Sequence, residues 1–281
     1  MATDGGLLVT RGPRSLALLR IAPAWRHRPA QADDCHVDVW LDGVEVASDP
    51  GTYRYTARPP WDNGLAASRV HNTVTIDGGD RYRRLGRFLS TDWPRTRVLL
   101  DASGGDWQCW VVESEVPAWE RVGGHHRRLL LRRGDDVVVG DQVRADPEST
   151  VQVTWNLPAL GRAHCDGATF RLDSEGLSVL VAGPAGSSVR ETIAGEGPEG
   201  WHAPTYGLRQ ERRTVRLICP AGGGIVASLF TRAPGAVDLE ALQTRVRETL
   251  TQPSSTTVAE LVQLLRSATG EIGSTDAPLP G

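Results

Sequence analysis

The stretch "CHVDVWL", residues 35–41, alternates strictly: Cys35, Val37, Val39 and Leu41 fall on one face, His36, Asp38 and Trp40 on the other. A period of two is the pattern of a strand with one face buried. Similar short runs recur at 15–22, 73–77, 96–101, 107–113, 127–132, 136–143, 150–156, 177–182, 213–218 and 225–231, separated by turns such as "RRGDD", "AGPAG" and "PAGGG". Strands in series with no helices between them cannot build parallel crossovers. The expected fold is therefore all-β, an antiparallel β-sandwich.

The pattern changes after residue 235. "AVDLEALQTRVRETL" (236–250) and "TTVAELVQLLRSA" (256–268) carry apolar residues at helical spacing. In the second, Thr257 and Glu260 have the spacing of a capping box. The expected organisation is a sandwich over 1–235, short C-terminal helices over 236–270, docked on the sandwich or serving as a partner-binding tail, and a flexible tail over 271–281.

Of 281 residues, 40% are hydrophobic, enough for a sizeable core. The net charge of −3 gives no polyanion-binding surface, so no nucleic-acid partner is expected. All 31 basic residues are Arg. Without Lys, P-loop phosphate binding and Schiff-base chemistry are excluded. Cys35, Cys109, Cys165 and Cys219 are too far apart for a zinc ribbon and read as small core residues. No apolar run is long enough to span a membrane, and the opening "MATDGGLLVTRG" lacks the basic and apolar regions of a signal peptide. A cytoplasmic location is the expectation for the chain as given.

Taken from the residues alone, the polar candidates are ordinary. Asp49 precedes the Pro50-Gly51 turn, and His71 leads into a strand; both are common turn and edge residues. In the doublet His125-His126 consecutive side chains point to opposite faces, so at most one can join a given site. Trp40, Trp61, Trp93, Trp110 and Trp119 could form a sugar-stacking platform, although core packing is the commoner use.

Order gives these residues more weight. "QAD" at 31–33, "DPGTYRY" at 49–55 and "HNTVTIDG" at 71–78, followed by "HHRRLLLRRGDDVVVGDQV" at 125–143, resemble the successive "HAD", "DxGTYxY" and "HNTVxVDG" elements and the basic strand and hairpin of the heparinase II/III-like polysaccharide lyases. The similarity is to the C-terminal β-sandwich domain of that family. It implies β-elimination on uronic-acid glycans, glycosaminoglycans among them, in a cleft between the sandwich and an N-terminal α/α toroid that supplies most catalytic groups. No toroid can be read in this chain. The expectation is a lyase module that is inactive alone and is partnered by a uronic-acid polysaccharide or a separate toroid-domain protein. The exposed face should then self-associate or need a cover.

The resemblance also implies a zinc site, carried over to Asp49, His71 and Gln31. Gln31 stands where the family has histidine, and Pro29 where it has a second, substrate-facing one. Zinc is therefore expected to be weak or absent, with an Asp49–His71 hydrogen bond in its place. His27 and His36 lie nearby, out of register. His71 is the catalytic candidate, and Asn72, Tyr53 and Tyr55 are candidate substrate contacts. The alternative function is a non-catalytic carbohydrate- or protein-binding sandwich; a lesser one is a stand-alone enzyme using His71, Tyr53 or Tyr55 as acid and base.

Overall fold

A computed structural model of the chain describes residues 5–21, 31–220, 224–232 and 237–268. His27, Pro29 and the tail 271–281 lie outside the described residues. The largest sheet has eight antiparallel strands in the order Arg162–Asp166, Thr169–Ser174, Leu177–Ala182, Ile225–Thr231, Asp136–Arg144, His125–Arg133, Trp107–Glu115 and Arg95–Gly104. Two four-stranded sheets face it: Ser188–Ile193, Arg213–Pro220, Thr150–Leu157, Val74–Ile76, and Leu7–Arg11, Ser15–Arg20, Val37–Leu41, Val44–Ala47. The all-β sandwich is thus the observed architecture.

One apolar core fills the space between these layers, with Val39, Trp110, Leu130, Val139, Val153, Trp155 and Phe230 among its members. A second lies on the outer face of the large sheet, where Cys109, Leu129, Leu131 and Val138 meet two helices, α1 (Leu239–Thr251) and α2 (Ser255–Ala268). Strands covered on both faces lose their alternation. Ile225–Thr231 is buried at every residue and reads "IVASLFT". The helices are docked on the sandwich, not free. Gly140 permits their approach, because a Cβ there would stand 2.3 Å from Val246 Cγ1.

Local details depart from the sequence reading. Asp238 caps α1 through the N–H groups of Glu240 and Ala241. The α2 cap is Ser254, whose hydroxyl faces the Thr257 N–H at 3.3 Å, so the expected Thr257–Glu260 box is displaced by one turn. Cys165 is exposed, while the other three cysteines are core residues. Its strand, Arg162–Asp166, lies at the sheet edge and is mostly exposed.

Between the layers runs a buried polar network. Arg81 and Asp34 are both fully buried and pair at 2.6 Å, and Asp34 also accepts from Thr96 (2.7 Å) and Ser114 (2.6 Å). Burial opposes the Asp34 charge, but Arg81 and these hydroxyls hold its carboxyl below the ordinary range. Arg128 pairs with Asp141 at 2.7 Å and donates to the Cys35 and Asn72 carbonyls. His126 joins the two pairs: Nδ1 accepts from Arg81 (3.2 Å) and Nε2–H donates to Asp141 (2.7 Å). His125 points the other way, toward Glu113 at 3.0 Å, as alternation requires.

Both His126 nitrogens serve a neutral ring. Burial pushes the imidazole down to about 4 from an ordinary 6.5, with Arg81 and Arg128 adding to the effect and the Asp141 hydrogen bond opposing it. The unfolded chain therefore takes up a proton between pH 6.5 and about 4 that the folded chain refuses, and stability falls as pH drops through that window. Thermal melting should decline across it, and the His126 ring resonance should not titrate above about pH 4. A His126 signal titrating at an ordinary value would contradict this assignment.

Candidate functional site

The polar centre forms where three irregular segments meet at the rim of the sandwich. The "QAD" element enters the strand Val37–Leu41, the "DPGTYRY" loop leaves the strand Val44–Ala47, and "HNTV" leads into Val74–Ile76. Two features shape the loops. Asp49 Oδ1 accepts the Gly51 N–H at 2.7 Å, closing the turn that Pro50 opens. Gly51 has φ +72°, and a Cβ there would strike the Ala203 carbonyl oxygen at 2.1 Å.

His71 is wholly buried. Its Nδ1–H donates to the Ala67 carbonyl at 2.8 Å, which turns Nε2 toward the centre. There the Gln31 amide oxygen, Oε1, lies 2.6 Å from Nε2, and the Gln31 N–H is given to Thr52 Oγ1 at 3.1 Å. Asp49 Oδ2 stands 3.7 Å from His71 Nε2 and 3.9 Å from His36 Nε2. The structure thus brings Gln31, Asp49 and His71 together but makes no Asp49–His71 hydrogen bond, because the Gln31 amide takes that position. Asp49 is partly exposed, and it and Gln31 form the face the centre turns to solvent. As a direct acid or base, His71 has no surface from which to reach a substrate.

Two further residues belong to the centre: His36, which the motif left out of register, and Asp33, which the sequence reading did not single out. His36 lies edge-on to His71, ring centroids 5.4 Å apart, with Nε2–H donated to Asp38 (3.0 Å) and Nδ1 accepting the Asn72 N–H (3.0 Å). The other is Asp33, the acidic residue of "QAD" itself. Ligand atoms of Asp33, Asp49 and His71 all lie within 4.8 Å of one another. Asp33 Oδ2 meets Arg20 at 3.0 Å, whereas the buried Oδ1 has no hydrogen-bond partner among the described residues. Burial raises the Asp33 carboxyl above its ordinary value in spite of Arg20. Burial also acts to raise Asp49, but the His71 and His36 imidazoles and the Gly51 N–H outweigh it and hold that carboxyl low. Two carboxylates, an imidazole fixed through its far nitrogen and an orphaned buried oxygen fit a divalent cation, with Gln31 as the competitor for Nε2.

Asn72 corrects another expectation. It has no exposed surface, and its amide donates to the Val37 (2.9 Å) and Ser48 (3.1 Å) carbonyls while accepting the Asn156 N–H at 2.7 Å. It is a joint between sheets, with no face to offer a glycan.

Tyr53 and Tyr55 lie at the edge of an aromatic cradle beside the centre. Tyr53, Trp61 and Trp201 meet edge to face, at 5.7 and 6.0 Å between centroids, and exposed Tyr55 bridges Phe88 (5.0 Å) and Tyr206 (5.6 Å). Trp110 and Trp119 are core residues instead.

The chain is thus a large antiparallel sandwich with a carboxylate–imidazole centre and an aromatic cradle on its rim. The chain belongs to the heparinase II/III-like family: the family's C-terminal domain matches residues 1–248. Among solved structures it is similar to a heparinase III (TM-score 0.63, 21% identity, covering 81% of this chain and 34% of that one). Heparan sulfate lyase HepC from Pedobacter heparinus is similar as well (TM-score 0.62, 16% identity, 80% and 34%). At these identities the likeness is one of fold, and the chain spans about a third of the length of those lyases. No functionally curated protein matches it significantly.

Replacing Asn72 by Ala leaves the Asn156 N–H and two carbonyls without this partner in a buried joint. The expected loss, read by urea unfolding, is about 2–4 kcal/mol. A variant as stable as the wild type would remove Asn72 from this structural role.

Proposed function

We propose that this chain is the sandwich half of a polysaccharide lyase acting by β-elimination on uronic-acid glycans, and that it turns over no substrate without a helical domain across its rim, in the same polypeptide or a separate one. Family membership and the one-third coverage of the heparinases support the first part. The observation that carries the second is the burial of His71 behind Gln31 and Asp49.

Elimination needs three things. The C5 carboxylate must be neutralised, a base must take the C5 proton as its electron pair forms the C4–C5 double bond, and the departing C4 oxygen must receive a proton. The centre presents a carboxylate, Asp49, and an amide, Gln31. An Asp49 carboxylate held low cannot neutralise another carboxylate, and the neutral amide is neither acid nor base enough to move a proton. What these residues do is build a rigid wall: His71 is clamped by Ala67, Asp49 by Gly51, and Gln31 by Thr52. Asp33, Asp49 and His71 would hold a divalent cation, zinc by family likeness, which would supply positive charge facing the glycan.

Two measurements test this reading. With heparan sulfate, hyaluronan or alginate, the chain alone should give no ultraviolet absorbance from unsaturated uronate, and adding a heparinase-type toroid domain should produce it. Turnover by the chain alone that vanishes in His71→Ala would overturn the proposal. For the cation, zinc should raise the melting temperature of the wild type only slightly and that of Gln31→His clearly, with Asp33→Asn abolishing the gain. At zinc about 100-fold above Kd the stabilisation is ~2.7 kcal/mol. No zinc response in Gln31→His would remove the metal site.

The second reading, a binding module without turnover, draws on the exposed row Phe88, Tyr55 and Tyr206. It predicts glycan binding with no product even when the helical domain is supplied.

A further inference from the structure

Arg209 lies on the hairpin formed by Trp201–Thr205 and Leu208–Glu211. Its guanidinium carbon is 3.7 Å from the Trp61 ring centroid, 4.5 Å from Trp201 and 4.9 Å from Tyr53. Three rings from two separate segments thus hold one cation. Yet among the described residues Arg209 has neither a carboxylate nor a carbonyl as partner, whereas its sequence neighbours are engaged: Arg212 donates to Ser48 and Glu45, Arg213 pairs with Glu191, and Arg216 with Glu199.

A guanidinium bonds in its own plane, so aromatic contact on its faces leaves its N–H edges for an acceptor. The fork of two N–H groups matches a carboxylate. The neighbourhood adds positive charge and a stacking surface. Arg54, exposed and without an ion pair among the described residues, sits over the Tyr53 ring at 5.0 Å. Tyr206, on the same hairpin, continues through Tyr55 to Phe88 as an exposed aromatic row.

The cradle is tied to the polar centre by backbone. Ala203 N–H donates to the Pro50 carbonyl at 2.8 Å and Gly207 N–H to the Tyr53 carbonyl at 2.7 Å, while His202 Nδ1 donates to the Asp49 carbonyl at 2.9 Å. The loop 49–55 therefore carries Asp49 at one end and the cradle at the other.

We propose that Arg209, held by Trp61, Trp201 and Tyr53, is a subsite for the carboxylate of a uronate residue, with the row of Tyr55, Tyr206 and Phe88 receiving the adjoining sugar rings. This rests on the reading of the chain as part of a lyase for uronic-acid glycans and adds the group that recognises the acid. The occupant is an acidic glycan rather than a protein, because the cation is central to the aromatic surface and lacks an internal counter-charge.

The test is equilibrium binding by calorimetry to the intact chain. The probes are unsulfated uronate tetrasaccharides from heparosan, hyaluronan and alginate, the carboxyl-reduced form of whichever binds, and a sulfated heparin tetrasaccharide. At least one unsulfated uronate probe should bind. Carboxyl reduction and Arg209→Gln should each weaken binding by about tenfold or more, with Arg209→Lys intermediate. Unchanged melting will establish that Arg209→Gln is folded, and loss in Tyr206→Ala will report the stacking row independently. Retained affinity in Arg209→Gln, or equal binding of the carboxyl-reduced probe, overturns the subsite and leaves the lyase reading standing. Binding of the sulfated probe alone overturns the carboxylate assignment. If no acidic glycan binds, or a helical domain binds the cradle and glycans do not, the subsite falls, and the absence of any glycan binding takes the lyase reading with it.

Discussion

The buried pairs Arg81–Asp34 and Arg128–Asp141, joined by His126, hold the site to the fold. The strands His125–Arg133 and Asp136–Arg144 supply Arg128, His126 and Asp141 from the large sheet; Asp34 and Arg81 come from irregular segments that would otherwise rest on it by contact alone. Arg128 reaches across to the Cys35 and Asn72 carbonyls, one residue from His36 and from His71. Loops over a sandwich rim have few apolar side chains to fix them, so directional bonds must do it. Removing one member leaves a buried charge without its partner, which costs about 3–5 kcal/mol in comparable pairs. The position of the imidazoles is therefore inseparable from the stability of the sandwich.

Strands with a buried face were legible because burial writes a period of two, or a continuous apolar run, into the sequence. The runs 136–143 and 225–231 correspond to Asp136–Arg144 and Ile225–Thr231. Polar edge strands and the hairpin were not. Arg162–Asp166 and Ser188–Ile193 are polar and mostly exposed, and Trp201–Thr205 contains a proline. Such segments pair through backbone groups alone, which leave no mark on side-chain pattern. Yet one of those hairpins carries Arg209.

The centre was legible in part for a related reason. Family order placed Gln31, Asp49 and His71 together, and they do meet. Solvent access could not be read from order: His71 and Asn72 lie beneath the surface because the segment 63–71 folds into two short 3-10 turns, burying Leu65, Ala66 and Val70 under the loop. Asp33 went unrecognised, and His36 was left out of register with the motif, because irregular backbone has no period. Cys35, between them in the chain, takes φ +57°, so the alternation read from Cys35 onward is that of a strand only from Val37.

The absence of lysine gives these observations a common cause. A guanidinium can lie against an indole and still bond in its plane, which an ammonium cannot do. Arg81 sits 4.7 Å from the Trp119 ring and Arg128 5.7 Å from Trp155, and each directs its N–H groups to a buried carboxylate. Arg209 repeats the arrangement against Trp61, nearer to the ring and at the surface, with the carboxylate missing. Inside the sandwich the fold must complete such a triad, because an unpaired buried cation is too costly to keep. At the rim, water tolerates the incomplete one, and an acid from outside can complete it.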